Sequence, residues 1–143
     1  MESNLSSKRL SGVSVLLIED DLTLLNGMIK QLTAEGAEVS AAADGRAGLA
    51  RFMSHRPDIV VTDIVMPERE GLETIMAIKS DRPDVPILAI SGGGRSGATP
   101  FLDLARHLGA DDVLAKPFRG AQLAERIATL ASPVTGAMPA TAA

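Results

Sequence analysis

Cysteine, tryptophan and tyrosine are absent from this chain, and phenylalanine occurs only 3 times in its 143 residues. Without cysteine there can be no disulfide, no catalytic thiol and no cysteine-ligated zinc site. The absence fits a protein of the reducing cytosol, where disulfides are rare. Because aromatic side chains are so few, the hydrophobic core must be built from leucine, isoleucine, valine, alanine and methionine.

Strong charge and long apolar segments are also missing. The formal net charge is −4 and no cluster of lysine and arginine occurs, so direct binding to nucleic acid is not expected. The longest apolar runs, such as residues 15–18, are far too short to span a bilayer. The first residues lack the apolar centre of a signal peptide. We therefore expect a cytoplasmic protein without a membrane segment.

Composition divides the chain into one domain and two end segments. Residues 1–11 are rich in serine and have no periodicity, which is typical of a mobile leader. Residues 132–143 contain proline, glycine, threonine and alanine but no charge, which is typical of a disordered tail or a linker. Residues 12–131 are therefore predicted to form a single domain, large enough to bury a sizeable core.

Within this domain, short apolar runs alternate with segments of helical periodicity such as Leu25, Met28 and Leu32. Near-continuous apolar runs are typical of strands buried on both faces. The runs lie at residues 13–18, 59–62, 87–90 and 113–115, with a weaker candidate at 37–41. Five strands alternating with five helices predict an α/β three-layer sandwich with a parallel sheet. The flavodoxin-like strand order 2-1-3-4-5 is expected, with a ligand crevice at the carboxyl ends of strands one and three.

Polar side chains follow the predicted strands at the points where they end. Glu19 and Asp20 follow the first strand, Asp63 the third, Ser91 the fourth and Lys116 the fifth. The carboxyl ends of parallel strands share one edge of the sheet, and strands one and three are neighbours in the expected order. We therefore expect the three carboxylates to converge.

Converging carboxylates repel one another unless a proton or a cation is present. Mg²⁺ prefers carboxylate and carbonyl oxygens together with water, and could also bind phosphoryl oxygens. Lys116 would supply a positive charge to a phosphate, and Ser91 a hydrogen bond. Each residue alone has a simpler explanation, since Asp21 is best interpreted as a helix N-cap and a single aspartate or Lys-Pro pair is usually part of a turn. Their order at successive strand ends favours a functional site.

The chain resembles the receiver domains of two-component response regulators, a chemotaxis-receiver-like family, over about residues 12–131. The resemblance rests on ordered matches at four strand ends, together with the glycine segment that follows the third strand. The matching segments are residues 15–21, 57–67, 71–73, 87–92 and 109–118.

This resemblance implies a role for each candidate residue. Asp63 would be the phosphoacceptor that takes a phosphoryl group from a phosphohistidine, with Ser91 and Lys116 contacting that group. The metal ion would be Mg²⁺, and the Lys116-Pro117 peptide bond would be cis. The implied metal ligands are Asp20, Glu19 directly or through water, Asp63 and the backbone carbonyl of Val65.

The sequence departs from the family pattern at a few positions. Val113 stands where many relatives have an aromatic residue. We therefore hypothesise that the glycine-rich segment 91–100 carries the switch instead, and that phosphorylation orders it through Ser91, with Arg95 as a second candidate contact. The resemblance implies that the positions two residues after Asp63 and two residues after Ser91 influence the water that hydrolyses the acyl phosphate. They hold Val65 and Gly93, which offer this water no side-chain hydrogen bond, so slow self-dephosphorylation is predicted.

The leading functional hypothesis is a stand-alone receiver rather than an enzyme acting on external substrates. A histidine kinase or histidine phosphotransferase would supply the phosphoryl group, and an unknown output protein would contact the face formed by the fourth helix, fifth strand and fifth helix. A weak homodimer on phosphorylation is compatible with the sequence. Three alternatives remain open: a receiver excised from a hybrid kinase or larger regulator, a phosphate-independent adaptor, and a Mg²⁺-dependent phosphohydrolase. The last is disfavoured because Val65 occupies the position of the second aspartate of such enzymes.

Overall fold

The computed structural model describes residues 8–64, 70–91, 103 and 105–131 of the chain. The predicted tail and residues 1–7 of the predicted leader lie outside these ranges. The strands are β1 (Ser14–Ile18), β2 (Glu38–Ala42), β3 (Ile59–Asp63), β4 (Ile87–Ser91) and β5 (Asp112–Ala115). The helices are α1 (Leu22–Ala34), α2 (Gly45–His55), α3 (Glu70–Asp81), the helical residues 105–108, called α4, and α5 (Gly120–Leu130).

The five strands form one parallel sheet in the order β2-β1-β3-β4-β5. The flavodoxin-like α/β architecture predicted from the sequence is therefore confirmed. All residues of β3 and β4 are buried, as their near-continuous apolar sequences predict. The edge strand β2 is only partly buried, which explains why its sequence gave the weakest strand signal.

Aliphatic side chains on the two faces of the sheet form two separate cores. One core packs α1 and α5 against the sheet, through residues such as Met28 and Ile127. The other core packs α2, α3 and α4 against the opposite face, through residues such as Phe52 and Ile75. This arrangement is the predicted three-layer sandwich.

The folded unit includes residues that were assigned to the leader. Leu10 is fully buried and belongs to the core beneath α1 and α5. Its backbone N–H donates to the carbonyl of Glu35 at 2.9 Å. The leader boundary at residue 11 is therefore wrong, because a single buried leucine in a polar stretch leaves no periodic signal.

Side chains before two helices fix where those helices begin. Asp21 accepts hydrogen bonds from the backbone N–H groups of Thr23 and Leu24, which confirms its predicted N-cap role for α1. Asp44 caps α2 in the same way, accepting from Ala47 N at 2.8 Å. In the part of the chain that the structure describes, no helix is long and apolar enough to cross a membrane.

Candidate phosphoryl and metal site

The end of β1 places one carboxylate inside the protein and the next at its surface. Glu19 is fully buried, whereas Asp20 is exposed. The backbone N–H of Glu19 donates to the Ala42 carbonyl at 3.1 Å, which extends the pairing of β1 with β2 beyond the strand itself. The Oε2 atom of Glu19 accepts from the N–H of Asp21 at 2.9 Å. The N-cap turn of α1 therefore also orients the buried carboxylate.

Asp63 ends β3, the central strand, and its side chain is nearly buried. Thr62 is paired with Ile18 of β1, and Asp63 is paired with Ile90 of β4. This register brings Asp63 to the same sheet edge as the residues that follow Ile18. Carboxylate oxygens of Glu19, Asp20 and Asp63 lie within 4.8 Å of one another. The predicted convergence of the three acidic residues is confirmed.

Lys116 follows β5 and reaches across the edge of the sheet to this acidic cluster. Its Nζ lies 3.0 Å from Glu19 Oε1 and 3.1 Å from Asp63 Oδ2. The Lys116-Pro117 peptide bond is cis. The lysine backbone is held as well, because its N–H donates to the Ser91 carbonyl at 2.7 Å.

Ser91 is fully buried at the end of β4, where it is paired with Ala115 of β5. In the sheet, β4 lies between β3, which ends in Asp63, and β5, which precedes Lys116. Val65, the other predicted site residue, lies outside the described residues. So does the segment after Ser91 on which the switch hypothesis rests.

Burial dominates the electrostatics of the site. Removal from water raises the pKa of Glu19 to about 7, and the Asp63 carboxylate adds to this effect, while the Asp21 amide and the Lys116 ammonium oppose it. Burial by itself lowers the pKa of Lys116, but the carboxylates of Glu19 and Asp63 outweigh that effect and raise the pKa above its ordinary value. The acidic cluster is thus only partly neutralised by its lysine.

The donor set fits a hard divalent cation. Three carboxylates, one of them exposed, can supply oxygen ligands and leave room for water. Among the described residues, Glu19 Oε1 forms an ion pair with Lys116 Nζ at 3.0 Å and accepts no further hydrogen bond. A buried carboxylate oxygen in this state has capacity for a cation. The cluster could therefore hold a metal ion.

Two residues outside the predicted site set contact the backbone of Asp63. Thr62 donates a hydrogen bond to the Asp63 carbonyl, and Gly71 of α3 packs directly against the same carbonyl. A threonine within an apolar strand was the available signal for the first. The close approach of Gly71 to the Asp63 carbonyl depends on the tertiary structure, and no local sequence pattern indicates it.

Comparison with known proteins places this geometry in a family. The profile described as response regulator receiver domain matches residues 15–128. The response regulator MprA of Mycolicibacterium vanbaalenii is 36% identical over 119 residues, which cover 82% of this chain and 50% of the relative. The transcriptional regulatory protein QseB of Haemophilus influenzae is 38% identical over 119 residues, covering 81% of this chain and 51% of the relative. The chain thus spans about half the length of these curated relatives.

Solved structures agree with the sequence matches. A response regulator receiver domain protein from Clostridium thermocellum superposes with a TM-score of 0.79 at 27% identity, over 88% of this chain and 99% of the other. The chemotaxis protein CheY4 of Vibrio cholerae gives a TM-score of 0.73 at 28% identity, over 82% of this chain and 98% of the other. The chain belongs to the response regulator receiver domain family of bacterial two-component systems.

Proposed function

We propose that this receiver domain takes a phosphoryl group from a phosphohistidine onto the carboxylate of Asp63, and that Mg²⁺ is required. One observation carries the proposal. The carboxylates of Glu19, Asp20 and Asp63 lie within 4.8 Å of one another, and the ammonium group of Lys116 is 3.1 Å from Asp63 Oδ2. A nucleophile, a set of metal ligands and a fixed cation therefore meet at one point.

The chemistry follows from what each side chain can do at its position. A carboxylate oxygen of Asp63 attacks phosphorus and forms an acyl phosphate, while the phosphorus–nitrogen bond breaks and the imidazole leaves with the electron pair. Lys116 is already in contact with Asp63, so its charge is in place for the phosphoryl oxygens. The hydroxyl of Ser91 would donate a hydrogen bond to the same oxygens. Bound Mg²⁺ would offset negative charge on the transferred group.

Glu19, Asp20 and Asp63 would hold this metal ion, together with the carbonyl of Val65 that the family resemblance implies. Burial of Glu19 supports the assignment, because a cation beside a desolvated carboxylate removes the cost of its charge. The exposed position of Asp20 gives a hydrated ion access from solvent. The site thus combines a buried ligand, Glu19, with a solvent-exposed ligand, Asp20.

We do not expect turnover on external substrates. The protein would catalyse only its own phosphorylation and a slow loss of the phosphoryl group. A phosphorylated sample should accordingly retain its adduct for minutes or longer after the phosphodonor is removed. An adduct that decayed within seconds without a phosphatase would contradict this part of the proposal.

Signalling would occur through protein contacts rather than nucleic acid binding, with a histidine kinase or phosphotransferase upstream. For the output partner we propose the face formed by α4, β5 and α5. This face carries a charged network in which Asp112 contacts Arg126 at 3.1 Å and Arg106 at 3.8 Å, while Arg126 donates to the Val113 carbonyl at 2.9 Å. A polar network of this kind suits a reversible interface, including a weak homodimer.

The deciding experiment is incubation with acetyl phosphate, with and without Mg²⁺, followed by intact-mass measurement. We expect a Mg²⁺-dependent phosphoryl adduct in the unsubstituted protein and none in Asp63→Asn. Asp84→Asn is the matched control, because this exposed aspartate lies in the loop before β4, at the opposite edge of the sheet. It should form the adduct normally.

The same experiment separates the alternatives. If neither acetyl phosphate nor beryllofluoride with Mg²⁺ changes the protein, a phosphate-independent adaptor becomes the better interpretation. The matched relatives are longer than this chain, which spans about half of their length, so a receiver that acts within a larger regulator is the second candidate. The phosphorylation chemistry at Asp63 is the same in both.

A further inference from the structure

Thr62 is a polar residue in a buried strand whose neighbouring core positions are apolar. It is fully buried, and the alternation of β3 puts it on the same face as Val60, which belongs to the core beneath α2 and α3. A hydroxyl in such surroundings requires a hydrogen-bond partner. Its Oγ1 donates to the backbone carbonyl of Asp63 at 3.1 Å.

Gly71, in the first turn of α3, lies close to the same carbonyl. A Cβ atom at this position would lie 2.6 Å from Ile64 Cα and 3.1 Å from the Ile64 carbonyl carbon, and it would also collide with the Asp63 carbonyl oxygen. Real Cβ atoms essentially never approach other atoms below 3.0 Å. Because these neighbours are backbone atoms, no side-chain rotation could relieve the contact. Only glycine allows α3 to pack this closely.

The backbone around Asp63 is also tied to the neighbouring strand. Asp63 is paired with Ile90, and the N–H of Ile64 donates to the Ile90 carbonyl at 3.0 Å. The peptide group between Asp63 and Ile64 is therefore fixed at its N–H by β4 and at its carbonyl by Thr62 and Gly71. Its orientation sets the direction in which the Asp63 side chain leaves the sheet.

We propose that Thr62 and Gly71 are positioning residues that align the Asp63 carboxylate by holding its own backbone carbonyl. The inference rests on the proposed phosphoacceptor role of Asp63 and deepens it. The carboxylate must stay in line with Lys116 Nζ, 3.1 Å away, and with the carboxylates of Glu19 and Asp20. Catalytic groups must be held within about 0.5 Å of their productive positions, and a misplacement of about 1 Å can lower the rate roughly a hundredfold.

The test compares four variants under conditions where each is folded by circular dichroism. The rate of adduct formation with acetyl phosphate and the affinity for Mg²⁺ are measured for each. We expect Gly71→Ala to slow phosphorylation by roughly tenfold or more, because the backbone of Asp63 and Ile64 must move to make room for the added methyl group. Thr62→Val keeps the shape of the side chain and loses the hydrogen bond, and we expect a loss of roughly threefold or more.

Two controls should behave like the unsubstituted protein. Thr62→Ser retains the hydroxyl and should rescue what Thr62→Val loses. Gly27→Ala adds a methyl group to a helical glycine of α1 that has nothing within 4 Å of the added atom. A purely structural role would lower the melting temperature of Gly71→Ala and Thr62→Val but leave the Mg²⁺ affinity and the phosphorylation rate of the folded protein unchanged, and that result would overturn the proposal.

Failure of the positioning role can be distinguished from failure of the proposed function. If Gly71→Ala fails to fold, the comparison of Thr62→Val with Thr62→Ser decides the matter. If the unsubstituted protein binds Mg²⁺ but forms no adduct on Asp63, the proposed function fails. Weaker Mg²⁺ binding in Thr62→Val than in Thr62→Ser would still support the positioning role, and equal binding would refute it.

Discussion

Replacing Lys116 with methionine removes the ammonium group that contacts two buried carboxylates while keeping most of the length of the side chain. Its Nζ lies 3.0 Å from Glu19 Oε1 and 3.1 Å from Asp63 Oδ2. Glu19 is fully buried and Asp63 is 3% exposed, so water cannot readily replace the lost contacts. We expect the variant to be less stable without metal but to respond more strongly to Mg²⁺.

The size of the effect follows from these contacts. Removing one partner of a buried ion pair typically costs about 3–5 kcal/mol of unfolding free energy. The Lys116 side chain is 19% exposed, and a pKa of Glu19 near 7 lets that residue take up a proton when its cation is lost, so both effects reduce the cost. We therefore expect a loss of about 2–3 kcal/mol near neutral pH. For a domain of this size, that corresponds to a melting temperature lower by roughly 6–12 °C.

The assay is thermal unfolding, first in EDTA and then over a Mg²⁺ titration. A ligand that binds only the folded state raises stability by mass action, so the rise in melting temperature reports metal affinity. Without the competing ammonium group, Lys116→Met should gain more from Mg²⁺ than the unsubstituted protein does. Its phosphorylation should nevertheless be slower, since the charge that would contact the phosphoryl group is gone.

The control is Lys30→Met, an exposed lysine of α1, which should change stability little. If Lys116→Met unfolds at the same temperature as the unsubstituted protein in EDTA, the lysine does not neutralise the buried carboxylates. If its response to Mg²⁺ is also unchanged, the reasoning about the cluster is refuted.

Three further substitutions test other parts of the structure. Asp20→Asn should leave metal-free stability nearly unchanged, because Asp20 is exposed, but should remove most of the stabilisation by Mg²⁺ in the same titration; an undiminished response would exclude Asp20 as a ligand. Leu10→Ala should lower the unfolding free energy measured in urea by about 2–5 kcal/mol, and a loss well under 1 kcal/mol would contradict its placement in the core. Lys79→Met removes hydrogen bonds from Nζ to the Val85 carbonyl at 2.8 Å and to Asp111 Oδ2 at 2.9 Å, and should cost about 2 kcal/mol in urea unfolding with no change in phosphorylation rate.

The fold and most of the site could be predicted because both follow from the order of residues along buried strands. An apolar run that ends in a polar residue shows where a strand stops, and a parallel sheet brings such ends to one edge. Glu19, Asp63 and Lys116 were located in this way, and their contacts in the structure agree. The prediction needed no information about side-chain packing.

The features that the sequence did not reveal depend on packing across the molecule. Leu10 is one apolar residue in a polar stretch, and it is buried because its side chain packs into the core beneath α1 and α5, a tertiary contact that no repeat marks. Gly71 was recognised only as part of a family pattern. A glycine is required here because α3 packs against the end of β3 and leaves no room for a Cβ atom. No sequence periodicity indicates this contact.

The acidic cluster weakens the metal-free fold for the same reason that it suits a metal ion. Glu19 is fully buried and carries a pKa of about 7, so holding its charge in the folded state is unfavourable at neutral pH. The interiors of β1, β3 and β4 are buried and aliphatic, and they hold the strand ends in register despite the cost of burying this charge. A cation that binds there offsets this cost, and the gain adds to the affinity of the cation. Substitutions that stabilise the metal-free protein by neutralising Glu19 should therefore weaken Mg²⁺ binding, because stability and metal affinity depend on the same buried charge.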